Sequence, residues 1–195
     1  MTVGIVILGG GEATRLPGKL ALEVENVPMI ARVFANVSAG RETFVSGKGT
    51  FDKALDARLP VPLVIDRWSA RGPLGGLVST FAQMRSRLVF ALAGDAPFID
   101  SAFVDYLCEA WRDGDEALVP VHETGGKQQL EPLAALYDRL AFLREGISVL
   151  RTGRAALHLV IERLRARTIA VPDVRLFANV NTAADYAALR SAVRA

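Results

Sequence analysis

Two stretches of this chain hold residue types suited to a phosphorylated ligand. The first, Leu8-Gly9-Gly10-Gly11-Glu12-Ala13-Thr14-Arg15-Leu16-Pro17-Gly18-Lys19, begins where the apolar run Val3 to Leu8 ends. Glycines let backbone N–H groups close on phosphate oxygens, and Arg15 and Lys19 supply countercharge. A Walker A loop is excluded, since Leu20 follows Lys19 and Ala13 stands where that motif requires glycine. The dinucleotide fingerprint fails too, with Thr14 where its last small residue belongs. The second stretch, Gly94-Asp95-Ala96-Pro97-Phe98, follows the apolar run Leu88 to Ala93. A carboxylate there can hold Mg²⁺, which takes one or two carboxylates and leaves the rest of its shell to water and substrate phosphates. Taken alone, Asp95 serves equally as the turn residue before Pro97. Asp66 has a similar pair of roles, turn residue or acceptor toward a nucleoside. Asn179 and Asn181 lie two residues apart, and in extended chain such residues face one side.

Both runs that lead into these loops are apolar throughout, the pattern of strands buried on both faces of a parallel sheet. Further strands are expected over Thr43 to Ser46, Leu63 to Asp66, Ala117 to Val121, Leu133 to Tyr137 and Thr168 to Val171. Helices are expected from Pro28 through Val37, Leu74 to Met84, and Ser101 to Arg112 behind an Asp100 or Ser101 cap. Three more are expected over Arg139 to Glu145, Ala155 to Leu164, and Thr182 to Val193, the last opened by a Thr182–Asp185 capping box. His122 to Gln129, polar and glycine-bearing, reads as a loop. Strands and helices alternate without linker, repeat or composition break. That predicts one α/β domain over 1–195, a three-layer α/β/α Rossmann-like arrangement around a mostly parallel sheet. Ligands of such sheets bind beyond the carboxyl ends of the strands, where loops start at Gly9, Gly47, Asp66 and Gly94.

Composition narrows the class. The chain has 195 residues, 51% hydrophobic and 23% charged, with a net charge of +2. High apolar content at low net charge excludes intrinsic disorder. No run approaches the ~20 apolar residues of a membrane span. Met1 to Leu8 lacks the basic region of a secretory leader, so a cytoplasmic protein is expected. Cys108 stands alone, which excludes an internal disulfide and a cysteine metal cluster, and it reads as buried and inert. Basic residues are scattered and matched by acids, which argues against a nucleic-acid surface. Arg154, Arg163, Arg165 and Arg167 read as a solvated helix face, with binding of a phosphorylated ligand as the alternative. His122 reads as a solvated loop histidine in preference to a ligand contact, His158 as a helix-surface or core-edge residue, and Arg67 and Trp68 as lid, stacking or packing residues.

Taken together, the motifs resemble those of the molybdenum cofactor guanylyltransferases, within the nucleotidyltransferases of the nucleotide-sugar pyrophosphorylase type. The resemblance is carried by Leu8-Gly9-Gly10-Gly11 with Arg15 and Lys19, Leu20-Ala21-Leu22-Glu23 with Pro28-Met29, and Arg71-Gly72-Pro73-Leu74-Gly75-Gly76-Leu77. It continues through Asp95 and Pro97, Glu131-Pro132-Leu133 to Tyr137, and Asn179-Val180-Asn181-Thr182. Gly18 replaces the aspartate that often precedes the lysine, and Ser46 stands where better-known relatives carry asparagine. The resemblance implies a nucleotidyltransferase fold and Mg²⁺-dependent transfer of GMP from GTP to the terminal phosphate of molybdopterin, or its molybdenum form, with release of pyrophosphate. By the same resemblance Leu8, Gly9, Gly10, Gly11, Lys19, Ser46, Asp66 and Asp95 bind the nucleotide. Lys19, Arg15 and Asp95 act in catalysis, Asp95 holds Mg²⁺, and Asn179 and Asn181 face the acceptor. Molybdoenzymes or other cofactor-biosynthesis proteins are the implied protein partners, with neither nucleic acid nor membrane. The alternatives are the same fold acting with CTP or on another phosphorylated acceptor, and a carrier that binds without turnover. Lys19 with Asp95 speaks against the carrier, which has no use for a metal carboxylate opposite a phosphate loop.

Overall fold

A computed structural model describes residues 2–9, 16, 18–47, 62–68 and 72–194. The chain runs through β1 (Val3–Leu8), the hairpin β2 (Glu23–Val24) and β3 (Val27–Pro28), α1 (Met29–Val37), β4 (Thr43–Gly47), β5 (Leu63–Ile65) and α2 (Gly72–Phe81). There follow β6 (Leu88–Ala93), α3 (Ser101–Ala110), β7 (Ala117–Thr124), β8 (Lys127–Leu130) and β9 (Ala134–Asp138). The described part closes with α4 (Arg139–Arg151), α5 (His158–Ile161), β10 (Ala166–Ala170) and α6 (Ala183–Arg194).

An eight-stranded sheet has the order β10-β7-β9-β6-β1-β4-β5, with β8 paired to β7. β1 lies between β6 and β4 and is parallel to both. β5 is parallel to β4 and β10 to β7, while β8 and β9 run against their neighbours. The apolar runs of β1 and β6 are explained by burial on both faces. Ile5, Ile7, Phe90 and Leu92 face a layer formed by α1 and α3. Val6, Val89 and Ala91 face the opposite layer of α2, α4 and α5. This is the expected three-layer α/β/α arrangement. Truncating a fully buried residue such as Leu92 to alanine would cost ~2–5 kcal/mol, because the α1 and α3 layer packed on it leaves little room to collapse.

Local signals set the helix starts. The Asp100 side chain accepts from the Phe103 N–H at 3.0 Å and opens α3. Asp138 accepts from the N–H groups of Leu140 (3.1 Å) and Ala141 (3.0 Å) and opens α4 directly from the end of β9. The capping box is present: Thr182 N–H reaches Asp185 Oδ2 at 2.8 Å, and Asp185 N–H reaches Thr182 Oγ1 at 3.2 Å.

Four expectations are corrected. Residues 122–129 are no loop: β7 continues through His122 to Thr124, and β8 returns antiparallel to it. Gly125 and Gly126, at φ 59° and 74°, make the turn with two consecutive left-handed residues, the geometry that continues strand twist. The segment is polar because the arm projects beyond the sheet, and every β8 residue is exposed. In Ala155 to Leu164 only His158–Ile161 is α-helical, and of the buried pair at helical spacing Val160 lies in that short helix and Leu164 beyond its end. The arginines therefore form no helix face: Arg167, on β10, pairs with Asp115 at 2.7 Å, and Arg165 with Glu116 at 3.3 Å. Cys108 is half-buried rather than buried, and its partial burial pushes the thiol pKa up. Among the described residues no helix is long and apolar enough to cross a membrane.

Candidate active site

The sheet delivers the candidate loops to one edge by continuing its ladder past the strand ends. Gly9 N–H donates to Ser46 O (2.7 Å), Gly94 N–H to Leu8 O (3.0 Å), and Asp66 N–H to Gly47 O (2.9 Å). A Cβ on Gly94 would lie 2.9 Å from the Leu8 carbonyl oxygen, so only glycine lets the Asp95 loop pass this close to β1. Beyond Gly94, Ala96 N–H closes back on Ala93 O at 3.2 Å, and Asn36 Nδ2 holds Pro97 O at 2.9 Å. Asp95 is thus fixed at the end of a central strand, with its side chain 13% exposed.

Lys19 opens a 3₁₀ turn, Lys19–Ala21, behind Gly18 in the left-handed conformation (φ 68°). Its ammonium forms an ion pair with Asp95 Oδ2 and donates to Asn181 Oδ1 at 2.9 Å. These three residues come from segments 76 and 162 positions apart. Asn181 is anchored in turn: its N–H donates to Asp185 Oδ2 at 2.9 Å, and Val180 N–H donates to the Asp95 carbonyl at 3.0 Å. Val180 is buried among Val24, Met29 and Leu189, which leaves Asn179 and Asn181 exposed on either side of it. The backbone hydrogen bond from Asn181, followed by the Thr182 hydroxyl and N–H, holds the Asp185 carboxyl below the usual range.

On the β1 to β5 side lie Leu8, Gly9, Ser46 and Asp66. Ser46 is buried, and a Cβ on Gly76 would come within 2.8 Å of its Oγ. Asp66 is buried as well; its Oδ1 accepts from Trp68 N–H (2.7 Å) and Ser79 Oγ (3.1 Å), so this oxygen ties the turn after β5 to α2. A Cβ on Gly75 would stand 2.7 Å from the Trp68 carbonyl. Gly75 therefore lets α2 settle onto the turn after β5, and Gly76 lets it settle onto the ends of β1 and β4. Trp68 packs against the second core layer. Gly10, Gly11, Arg15 and Arg71 lie outside the described residues.

Sequence reasoning missed one pair next to this edge. His122, expected to be solvated, has a side chain only 7% exposed, and its Nε2 is 2.8 Å from Glu131 Oε1. The available signal was Gly125-Gly126 between two runs of extended chain, which marks a hairpin and so puts His122 in a strand.

Among the described residues there is no group of three or more His, Cys, Asp or Glu side chains arranged for a metal ion. Asp95 Oδ2 and Asn181 Oδ1 nevertheless converge on one cationic group, the Lys19 ammonium. Hard oxygen donors already gathered around a positive charge fit Mg²⁺ of the kind that takes few protein ligands and completes its shell with substrate phosphates.

A sequence profile of the MobA-like NTP transferase domain matches residues 5–168. The chain belongs to this family. As a MobA-like NTP transferase it is 29% identical to a probable molybdenum cofactor guanylyltransferase of Methanosarcina acetivorans, over 96% of this chain and 90% of that one. It is 27% identical to the molybdenum cofactor guanylyltransferase of Cupriavidus metallidurans, over 91% and 89% of the two chains. The crystal structure of molybdopterin-guanine dinucleotide biosynthesis protein A from Archaeoglobus fulgidus has the same fold, with a TM-score of 0.81 at 21% identity and 98% coverage of both chains.

Proposed function

We propose that this MobA-like NTP transferase moves GMP from GTP to the terminal phosphate of molybdopterin, or of its molybdenum form, and releases pyrophosphate. The observation that carries this reading is the convergence of Lys19, Asp95 and Asn181 at the carboxyl edge of the sheet in a chain whose relatives are named guanylyltransferases. An oxygen of the acceptor phosphate forms a bond to the α-phosphorus. The bond from that phosphorus to the α–β bridging oxygen breaks, and its electron pair leaves with pyrophosphate. The nucleophile is already an anion, so no general base is needed, and orientation with charge neutralisation dominates.

In this reading the loop from Leu8 through Gly9, Gly10 and Gly11 to Arg15 cradles the triphosphate. Lys19, freed from Asp95 when substrate enters, neutralises charge that grows on the phosphate oxygens. Asp95, with Asn181, would hold Mg²⁺, which when bound supplies further neutralisation of the phosphates. Asp66 and Ser46 belong to the nucleoside side, and Asn179 and Asn181 to the acceptor side of Asp95. GTP labelled at the α-phosphorus tests the reading: label should pass into a molybdopterin product in the presence of Mg²⁺. Retention of the label in GTP, or its appearance in free GMP alone, would refute it.

A further inference from the structure

We infer that Glu131, oriented by His122, reads the amino edge of the acceptor's pterin ring, an inference that rests on the acceptor proposed above. β7 is eight residues long, and its first half pairs with β9 and β10 while its second half pairs with β8. Between β8 and β9 the returning chain leaves the strand at Glu131-Pro132-Leu133, where proline has no N–H to give to a ladder. The break is held in place. Glu131 N–H donates to Pro120 O (2.9 Å), Ala93 N–H to Leu133 O (3.3 Å), and the buried Tyr137 hydroxyl to Pro132 O (2.8 Å).

The break opens a cavity of about 270 Å³ lined by Ala93, Ala96, Gln129, Glu131, Phe177 and Asn179, among others. Ala93 and Ala96 flank Asp95 in the chain, so the cavity adjoins the reacting edge. In the sheet order it lies on the β9 side of β6, away from Ser46 and Asp66 on β4 and after β5. Its size suits one ring system rather than a whole ligand, since complete small-molecule sites run to ~300–1,000 Å³.

The polar group offered to that cavity is built with care. His122 stacks on Phe177 (ring centroids 5.2 Å apart, planes at 15°), and its Nδ1 is 3.0 Å from Thr124 Oγ1. A carboxylate accepts, so Nε2 carries the proton that Glu131 Oε1 receives at 2.8 Å. Among the described residues the second oxygen of Glu131 makes no hydrogen bond, and its side chain is 17% exposed. An ionised carboxylate has about four acceptor positions, and His122 uses one. What remains is a held, partly desolvated acceptor that matches two adjacent N–H donors. The 2-amino-4-oxopyrimidine edge of a pterin presents such a pair at N3–H and the 2-amino group.

Glu131→Gln is the discriminating variant. Its amide oxygen still accepts from His122, and its NH₂ group then meets the ligand's donors. With molybdopterin varied at saturating GTP, the acceptor KM should rise roughly 10- to 100-fold, with kcat, GTP affinity and melting temperature unchanged. Pterin should compete with the acceptor at least tenfold better than lumazine, which carries oxygen in place of the 2-amino group, and Glu131→Gln should erase that preference. His122→Phe keeps the stack on Phe177 but frees the carboxylate. It should raise the acceptor KM by a smaller factor at constant kcat and add nothing to Glu131→Gln. An acceptor KM within twofold of wild type, a retained pterin preference, or a loss of GTP affinity in Glu131→Gln would each overturn the inference. If the wild type makes no guanylated product, the proposed function fails. Pterin and lumazine titrations against wild type and Glu131→Gln then decide the role of Glu131 by themselves, with equal affinities in both proteins counting against it.

Discussion

Replacing Lys19 with methionine removes one positive charge and keeps most of the apolar stem. The Lys19 and Asp95 side chains are 18% and 13% exposed, so the carboxylate left behind is largely desolvated. Breaking a fully buried pair costs ~3–5 kcal/mol, and an exposed pair is worth ~0–1 kcal/mol. This site lies between the two, at about 2 kcal/mol, which corresponds to a fall of ~4–8 °C in melting temperature for a chain of this size. Asp95→Asn alone leaves Lys19 its hydrogen bond to Asn181. The double variant removes both charges and strands neither, so its destabilisation should fall about 1 kcal/mol short of the sum of the singles. In the proposed reaction Lys19 acts on substrate phosphates and not only on Asp95, so turnover should respond differently. Lys19→Met should lower kcat by ~10²–10³, and Asp95→Asn should not restore it. Thermal melts of the four proteins without nucleotide, beside GMP-transfer rates, read both effects. Stabilities that add within ~0.3 kcal/mol, or near-normal turnover in folded Lys19→Met, would refute the reasoning.

Asp95→Asn keeps the shape of the loop and loses the charge that in the proposed reaction anchors a hard dication, so activity should fall and no longer rise with Mg²⁺; an unchanged Mg²⁺ titration curve would assign Asp95 to the turn alone. The double variant Asn179→Ala, Asn181→Ala should bind GTP but fail to transfer GMP, whereas loss of GTP binding together with loss of thermal stability would make the pair a support for α6. Asp185 is held below its ordinary pKa by the Asn181 and Thr182 hydrogen bonds, so its contribution is present above the ordinary carboxylate range and is lost as pH falls through the lowered value. Urea unfolding should accordingly find Asp185→Asn less stable than wild type at pH 7, with the gap closing as acid protonates the carboxyl, and a gap that persists unchanged in acid would contradict this.

β1 and β6 were legible to the residue, because strands buried on both faces must be apolar throughout. Their loops were legible for the same reason, since Gly9 and Gly94 end those runs. The hairpin arm was not: β8 has no buried residue, so hydrophobic period carries no signal there, and only Gly125-Gly126 marks the turn. α4 extends to Arg151 rather than Glu145 because Val149 and Leu150 renew its buried face after Gly146, which lies close against Val78. Lys19, Asp95 and Asn181 could each be singled out from residue type and place in the chain. Their meeting at one point could not, because it depends on the order of strands in the sheet and on Val180 burying beside Met29. His122 was misjudged because its burial comes from Phe177 and Glu131, one of them 55 residues away in sequence.

Pyrophosphate release measured with each of the four nucleoside triphosphates in Mg²⁺, with and without molybdopterin, tests the proposed reaction most directly. Rapid release with GTP that requires molybdopterin, and slow release with ATP, CTP and UTP, is the predicted result. Faster release with CTP, or release with GTP that is indifferent to molybdopterin, would contradict it.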